Sequence, residues 1–473
     1  MIETPAVRAS VALRENAAGD DRAEAKTPRR CKRSVGSLSI LAIAVVVLLA
    51  LAAGLARRLL PAVSVLDGDL RRGAAGVIFA TSYLALAVGR VPGLRIDRAG
   101  IALVGAALMV ASGALPLDEA YKAVHLDTIT LLLGMMIVVA NLRLSGFFAA
   151  VNAWVVRRAH HPFLLLVAIS AVSGVFSAFL VNDAICLVLA PLVLELTVRA
   201  GRKPLPYLLA VAMASNIGST ATITGNPQNI MIGSFSHIPY AQFARALAPI
   251  ALVGLGLTVA LIGLVHRDEF ASGDKLEATT PRIRFNHVLA WRALLATAMM
   301  VGLFFAGQSP AKAAIILGSL LLLTRRVKSA RIYAEIDWTL LLMFAGLFII
   351  VAGAKHALLT KDVIAAVAQL HLDQTPVLSA VTAVLSNLVS NVPAVLVIRP
   401  FVEPLKNHDT AWLVIAMAST LASNFTILGS IANLIVVQKA AGHGITITFW
   451  DYFKVGAPLT LLTLLIGTLW LWL

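Results

Sequence analysis

The feature that most constrains this chain is a succession of apolar runs, many of them long enough to cross a lipid bilayer. A helix needs roughly 18–20 apolar residues to span the hydrocarbon core. Only 13% of the 473 residues are charged and 59% are hydrophobic, whereas about 25% of a soluble domain is charged. The sequence therefore predicts an all-α polytopic membrane protein embedded in the bilayer.

The apolar runs predict about eleven spans. Uninterrupted spans are expected at residues 37–56, 73–90, 99–115, 127–144, 241–265, 287–306, 310–324, 337–354 and 449–471. Polar residues interrupt two further spanning segments, 205–233 and 410–438. Residues 162–198 and 375–405 are apolar around a polar centre, and each is predicted to be a re-entrant hairpin. Amphipathic segments at 146–161 and 355–370 precede the hairpins and are typical of interfacial helices.

The basic residues predict the orientation. The net charge is +15, and most Lys and Arg residues lie between spans, on the side that the positive-inside rule makes cytoplasmic. The loop within 57–72, with four arginines, runs against the rule. We expect a multi-pass protein of the inner (plasma) membrane whose residues 1–36 form a disordered cytoplasmic tail. Residues 37–72 then form an extra first span and loop, and no domain remains that would bind nucleic acid.

An internal repeat divides the rest of the chain. Residues 177–193 align without a gap on 386–402, so that Asn182 falls on Asn391. Residues 222–230 align on 426–434 and pair three further positions: Thr222 with Thr426, Gly225 with Gly429, and Asn229 with Asn433. The predicted units are repeat 1 at 73–265, a cytoplasmic linker at 266–286 and repeat 2 at 287–473. An odd number of crossings in each unit makes the two repeats inverted, as in secondary transporters.

The polar interruption ASNIGSTATITGNPQN, residues 214–229, is costly inside a membrane. Unwound backbone is tolerated there only where it is buried in protein or lines a cavity. Gly218 and Gly225 are expected to loosen the helix, and Pro227 removes a backbone donor. Freed carbonyls then bind cations, and the N-terminus of the second half-helix favours an anion. Helix–helix packing is the alternative role, but interruptions at matching positions of both repeats favour a binding site.

The candidate substrate- and ion-binding residues come from the hairpin centres and the interruptions. They are Asn182, Asp183, Ser219, Thr220, Thr222, Gly225, Asn226, Asn229, Ser390, Asn391, Thr426, Gly429 and Asn433. Asp183 is the only carboxylate in the apolar body of either hairpin, and an ionisable residue at that depth indicates function. It is either a proton carrier or a ligand to a coupling cation, unless it is a neutral carboxyl that holds the hairpin closed. Arg399 either meets an anionic substrate or extends outward to the interface.

The motifs resemble a known group of transporters. Asn182-Asp183 with Pro191, Gly-Asn-Pro-Gln-Asn at 225–229, and Ser-Asn-Val-Pro at 390–393 are similar to the ion-transporter superfamily, and closest to its arsenite-permease and anion-permease branch. Citrate permeases and divalent-anion/sodium symporters are related. The resemblance implies a scaffold and a mobile region that move as an elevator, usually in a homodimer. In the dicarboxylate symporters both hairpin tips read Ser-Asn-Thr, a pattern from which residues 181–183 and 390–392 depart.

Together these features predict a secondary active transporter of a small anion or oxyanion, arsenite-like or carboxylate, coupled to H⁺ or Na⁺. If Na⁺ is the coupling ion, its site is expected near Asn182, Asp183 and Asn391. A Na⁺/H⁺ antiporter on the same fold is the alternative. An enzyme is not expected, because no base accompanies Asp183, and no cofactor is predicted. The chain lacks a GK[ST] phosphate loop, and nothing in it indicates an ATPase partner subunit.

Overall fold

The computed structural model describes residues 67–88, 96–271, 285–323, 327–360, 367 and 369–473, and every regular element in them is a helix. The predicted tail at 1–36 and the first predicted span at 37–56 lie outside the described residues, as does most of the predicted linker. The expectation of an all-helical fold is confirmed. Six of the described helices are long and apolar enough to cross a membrane, and shorter apolar helices accompany them.

The helices of the first repeat follow the predicted order. They are α1 Asp67–Val88, α2 Arg98–Ala111, α3 Leu117–Ala123, α4 Leu126–Leu144, α5 Phe147–Arg158, α6 Pro162–Leu180, α7 Asn182–Arg199, α8 Pro204–Ser219, α9 Pro227–Ser236 and α10 Tyr240–Val265. The short α11, Arg267–Phe270, follows. Helices α6 and α7 form the first hairpin, and α8 and α9 the first broken helix.

The second repeat has a matching succession, except that its described residues include no helix equivalent to α5. Its helices are α12 His287–Phe305, α13 Pro310–Leu322, α14 Ser329–Tyr333, α15 Trp338–Leu358, α16 Thr375–Val389, α17 Asn391–Val402, α18 His408–Ala422, α19 Ile431–Ala441 and α20 Phe449–Trp472. Helices α16 and α17 form the second hairpin, and α18 and α19 the second broken helix. A short 3-10 helix, Ile427–Gly429, lies in the second break.

The two repeats contact each other through two equivalent pairs of helices. Helix α2 packs on α15 and α4 packs on α13, each pair crossing from one repeat to the other. Gly134 and Gly346 allow these crossings, because a Cβ at either would lie within 2.6 Å of a backbone atom of the facing helix. With α1 and α12, these four helices form a group that we call the scaffold. The end of the scaffold where α4 ends and α15 begins carries Arg143 and Glu335 as an ion pair, and we call it the basic face.

The hairpins and broken helices form a second group, the core. Helix α6 packs along α8, and α16 packs along α18 in the same way. Helices α10 and α20 pack against each other and against the first halves of the broken helices. Although α6 is long enough to span a membrane, the chain reverses at Val181, so the hairpin tip meets the first break instead of the opposite surface: the N–H of Asn182 donates to the carbonyl O of Gly225 at 2.9 Å.

Two local expectations were wrong. Gly218 does not loosen the helix, because α8 continues to Ser219; a Cβ at Gly218 would lie 2.1 Å from the carbonyl O of Gly174, so the glycine serves close packing of α8 on α6. The second amphipathic segment does not begin at Lys355, because α15 runs on to Leu358. Much of that segment, residues 361–366 and 368, lies outside the described residues.

Candidate functional site

The candidate site is a cavity at which four helices begin. They are the second helix of each hairpin and the second half of each broken helix. Its volume is about 40 Å³, and we call it the central cavity. First-turn or capping residues of all four helices line it: Asn182 and Asp183 of α7, Pro227 and Gln228 of α9, Ser390 to Pro393 at the start of α17, and Ser430 and Ile431 at the start of α19. The repeat places these four N-termini together, because each hairpin tip lies against the breaks.

The helix N-termini make this cavity attractive to anions. The first backbone N–H groups of a helix have no intrahelical partner, and the helix dipole adds a partial positive charge. Side chains cap two of the four: Asn226 Oδ1 accepts from the N–H of Asn229 at 2.8 Å, and Ser430 Oγ accepts from the N–H of Ala432 at 3.1 Å. Helices α7 and α17 have no side-chain cap among the described residues.

Two side chains of opposite charge line the same cavity. Arg98 enters from the first turn of α2 in the scaffold, and Asp183 from the first turn of α7 in the core. Asp183 also shares the cavity wall with Ser430 and Ile431, at the start of α19. Asp183 therefore lies at the N-termini of two helices at once, an environment that stabilises its negative charge or that of a ligand.

Asn216 is the centre of an amide network behind the cavity. Its Oδ1 accepts from Nδ2 of Asn182 at 2.9 Å. Its Nδ2 donates to Oδ1 of Asn424 and of Asn433, each at 2.9 Å. Asn216 and its three partners are nearly or fully buried, where an unpaired amide is costly. The network thus joins the first hairpin tip to both broken helices.

The repeat pairing of Asn229 and Asn433 is visible as matching hydrogen bonds. Nδ2 of Asn229 donates to the carbonyl O atoms of Ser219 and Thr222, each at 3.1 Å. Nδ2 of Asn433 donates to those of Ser423 and Thr426, at 2.8 and 3.2 Å. Each asparagine therefore satisfies carbonyls that the break in its own helix releases, as unwound backbone in a membrane requires.

The two hairpin tips differ in how their asparagines are bonded. Asn391 is satisfied within repeat 2: Ser386 Oγ donates to its Oδ1 at 2.5 Å, and its Nδ2 donates to Ser423 Oγ at 2.7 Å. Asn182 lines the same cavity, but its buried Oδ1 has no hydrogen-bond partner among the described residues. The first tip therefore offers an amide oxygen, beside the Asp183 carboxylate, to a cation or to a donor group of a ligand.

The predicted residues separate into two sets. Asn182, Asp183, Ser390 and Asn391 line the central cavity. The others lie in the breaks around it or in the helix ends beside them: Ser219, Thr220, Thr222, Gly225, Asn226, Asn229, Thr426, Gly429 and Asn433. Among these, Thr222 Oγ1 donates to the carbonyl O of Ala178, and Asn226 Nδ2 donates to Thr420 Oγ1 at 3.1 Å, bridging the repeats.

Sequence reasoning missed several polar residues of this region, among them Arg98, Asn216, Gln228, Asn424 and Ser430. Asn216 and Gln228 belong to the interrupted segment, so the reasoning that selected its other polar residues applies to them as well. Arg98, in contrast, cannot be told in the sequence from the other basic residues of a loop. Arg399 does not line the central cavity: it pairs with Glu403 at 2.7 Å and lies 3.7 Å over the Phe235 ring, in agreement with the expected outward position.

Comparison with known proteins identifies the family. The model of the citrate transporter family matches residues 77–422. The chain belongs to this family. A transporter of Mycobacterium tuberculosis (strain H37Rv) is 28% identical to it over 420 residues, which cover 84% of this chain and 97% of that protein. The silicon efflux transporter LSI3 of Oryza sativa subsp. japonica is 28% identical over 463 residues, with 83% and 96% covered.

A solved structure supports the fold. The YdaH transporter of Alcanivorax borkumensis, described as having an unusual topology, superposes with a TM-score of 0.54 at 15% sequence identity, covering 84% of this chain and 96% of that one. Both of the relatives described above are named transporters, so this citrate transporter family member is a multi-pass membrane transporter, and its resemblance to the ion-transporter superfamily is confirmed.

Proposed function

We propose that this family member is a secondary active transporter of a small anion or oxyanion, coupled to H⁺ or Na⁺. The observation that carries the proposal is the convergence of four helix N-termini and Arg98 on one cavity. Each N-terminus stabilises an anion by about 0.3–1 kcal/mol, and by up to about 2 kcal/mol in a partly buried setting. Together, the four N-termini stabilise a bound anion by a few kcal/mol even when no cation is bound.

The size of the cavity supports a small cargo. A volume of about 40 Å³ has room for only a few water molecules. An arsenite-like oxyanion or a short carboxylate fits this volume better than a bulky organic acid does. The rice relative is named for silicon efflux, which agrees with a small, oxygen-rich cargo.

Asp183 supplies the coupling in this proposal. An ionised carboxylate on the cavity wall repels an anion 4–8 Å away by about 2–4 kcal/mol at an effective dielectric of 20. A proton or a Na⁺ on Asp183 removes that repulsion and raises anion affinity roughly 30- to 700-fold. The unpaired Oδ1 of Asn182 is the second oxygen that a bound Na⁺ would use. Anion and cation therefore bind together.

The division into scaffold and core supports an elevator movement. The hairpins and broken helices pack mainly among themselves, so they are suited to move as one body with the central cavity. We infer that the protein works as a homodimer in the inner (plasma) membrane. We also infer that its amino terminus and its basic face are cytoplasmic. In this proposal it acts without an ATPase subunit and without an enzymatic step.

A Na⁺/H⁺ antiporter is the second candidate, favoured by one observation. Asp183 is adjacent in sequence to Asn182, whose Oδ1 has no partner among the described residues. Both residues line the same cavity, and this pair alone can exchange a cation for a proton. The antiporter does not account for Arg98 on the same wall, because a fixed positive charge weakens cation binding.

Charge movement in proteoliposomes on a supported membrane distinguishes the two candidates. A panel of small anions is applied with and without Na⁺ and at several pH values, for wild type and Asp183→Asn. We expect a wild-type current that requires an anion, and a variant that exchanges anions but no longer responds to cation or pH. Glu195→Gln, on the exposed surface of α7, is the control. A wild-type current that follows Na⁺ or pH whatever the anion would sink the anion proposal and support the antiporter.

A further inference from the structure

A second cavity lies beside Asp183, and Arg98 is not among its lining residues. Its volume is about 70 Å³, and it lies between α4, the first hairpin, the start of α15 and α19. Its charged lining residues are Asp183, Glu335, Asp337 and Arg143. The rest of its lining is apolar. We call it the acidic cavity.

The two cavities meet at two residues. Asp183 and Leu340 line both of them, whereas Arg98 lines only the central cavity and Asp337 only the acidic one. Leu340 is buried and separates the two spaces with an aliphatic side chain. Asp183 is therefore the polar group that a ligand in either cavity would approach.

The charges of the two cavities suit ligands of opposite sign. The acidic cavity holds three carboxylates and one guanidinium, and that guanidinium is already paired, since Arg143 bonds Glu335 at 2.5 Å. Asp337 Oδ1 accepts from the N–H of Leu340 at 3.0 Å, as the N-cap of α15. Excess negative charge in a narrow, largely apolar space attracts cations and excludes anions. In the central cavity Arg98 offsets Asp183, and the four helix N-termini that converge there favour an anion.

The Arg143–Glu335 pair marks the mouth of the acidic cavity. Their side chains are 38% and 24% exposed, so solvent at the basic face reaches the pair. Asp337, itself exposed, and the half-buried Asp183 line the same cavity as this pair. The carboxylates thus lead from the solvent to the site.

We propose that the coupling cation, a proton or Na⁺, reaches Asp183 from the basic face through the acidic cavity, while the anion uses the central cavity. This inference rests on the proposed coupling role of Asp183. Two separate routes let the cation neutralise Asp183 without passing the anion-binding groups. Binding of the cation then prepares the central cavity for the anion.

The test measures cation and anion dependence separately in Asp337→Asn. Asparagine is as good an N-cap as aspartate, so the substitution removes a charge and keeps the cap of α15. We expect the Na⁺ concentration, or the proton concentration, that gives a half-maximal current to rise about three- to tenfold. The half-saturating anion concentration should stay within twofold. Asp97→Asn, which caps α2 on the same side but lines neither cavity, should change neither value.

The outcomes separate the route from the proposed function. If Asp183→Asn abolishes cation dependence but Asp337→Asn changes nothing, or shifts only the anion dependence, the separate route is overturned and the coupling role stands. If Asp183→Asn itself keeps the cation dependence of wild type, the coupling role fails first, and the route fails with it.

Thiol labelling tests the same inference without transport. Cysteine replaces Leu187 in the acidic cavity or Val389 in the central cavity, in a chain carrying Cys31→Ser and Cys186→Ser. We expect aminoethyl methanethiosulfonate, a cation, to label position 187 at least fivefold faster than the anionic sulfonatoethyl reagent does, relative to their intrinsic rates. The preference should reverse at position 389. If the cationic reagent is preferred to the same degree at both positions, the proposed difference in charge between the two cavities is contradicted.

Discussion

Val181 and Ser390 occupy equivalent positions at the tips of the two hairpins, and both have a positive φ, of 62° and 78°. Ser390, with ψ of 158°, lies in a region of backbone space that is nearly confined to glycine. Such a conformation costs about 1–3 kcal/mol and persists because neighbours hold it. At the second tip, the bond from Asn391 to Ser423 supplies part of that hold.

Ser390→Gly should therefore stabilise the protein. Glycine removes the backbone strain but costs about 0.5–1 kcal/mol in chain entropy, so we expect the free energy of unfolding to rise by up to about 2 kcal/mol. Thermal melting in detergent measures it. Ala383→Gly, within the regular part of α16, is the control and should lower stability by about 0.5–1 kcal/mol. If Ser390→Gly melts below Ala383→Gly, the tip is not strained.

Gly225 and Gly429 are required by close approach inside the two breaks. A Cβ at Gly225 would lie 2.0 Å from the carbonyl O of Ser219, and a Cβ at Gly429 would lie 2.7 Å from that of Ser423. We expect Gly225→Ala to prevent correct folding or to lower the melting temperature strongly, and Gly429→Ala to do so less. Size-exclusion profiles and melting curves measure both effects.

Gly256 provides the matched control for these substitutions. It lies in α10, where a Cβ would meet nothing within 4 Å, so Gly256→Ala should be neutral or stabilising by about 0.5–1 kcal/mol. If Gly225→Ala and Gly256→Ala change the melting temperature equally, the break at 220–226 relaxes to accept a side chain. That outcome would contradict the requirement for glycine at position 225.

The sequence predicted the fold well because its strongest signals are local. Apolar length predicted α4 as 127–144 against Leu126–Leu144 and α20 as 449–471 against Phe449–Trp472. Polar centres and interruptions in apolar segments predicted both hairpins and both breaks, and the repeat alignment paired them, since equivalent positions in a repeat share backbone geometry. Gly134 and Gly346, one in each repeat, both make a close contact with the facing helix.

The wall of the site was less predictable, because it depends on contacts between distant segments. Asn182 and Asp183 stand out as polar residues in an apolar hairpin, but Arg98 reaches the cavity from another helix, which no local pattern reveals. The difference between Asn182 and Asn391 is also invisible in the aligned repeats. It arises because Asn182 bonds Asn216, whereas Asn391 bonds Ser386 and Ser423.

Asn216→Ala should be among the most destabilising substitutions of a polar residue in the core. It removes the hydrogen-bond partner of Asn182 Nδ2 and of Asn433 Oδ1, and one of the two partners of Asn424 Oδ1, in a buried setting, at about 1–3 kcal/mol for each group left unsatisfied. We expect a loss of several kcal/mol, read as a lower melting temperature. Asn152→Ala removes one half-buried bond to the carbonyl O of Leu192 and should cost about 1 kcal/mol. Similar losses for the two variants would contradict the central role of Asn216.

Arg98 should set anion affinity through its charge. At 6–8 Å from a bound anion and an effective dielectric of 20, it contributes about 2–3 kcal/mol, so Arg98→Gln should raise the half-saturating anion concentration roughly 30- to 100-fold. The same change should lower the cation concentration needed at Asp183, because a positive charge leaves the shared cavity. Arg98→Lys, which keeps the charge, should stay within about fivefold of wild type.

For Arg98, peak current is measured first as a function of anion concentration at a fixed cation concentration. It is then measured as a function of cation concentration at a fixed anion concentration. Arg199→Gln, which breaks only an exposed pair with Glu195, is the control and should match wild type. If Arg98→Gln binds the anion as wild type does, the anion does not occupy the central cavity. If Arg98→Lys is as impaired as Arg98→Gln, the guanidinium acts through directed hydrogen bonds, and opposite shifts of the two dependences are no longer expected.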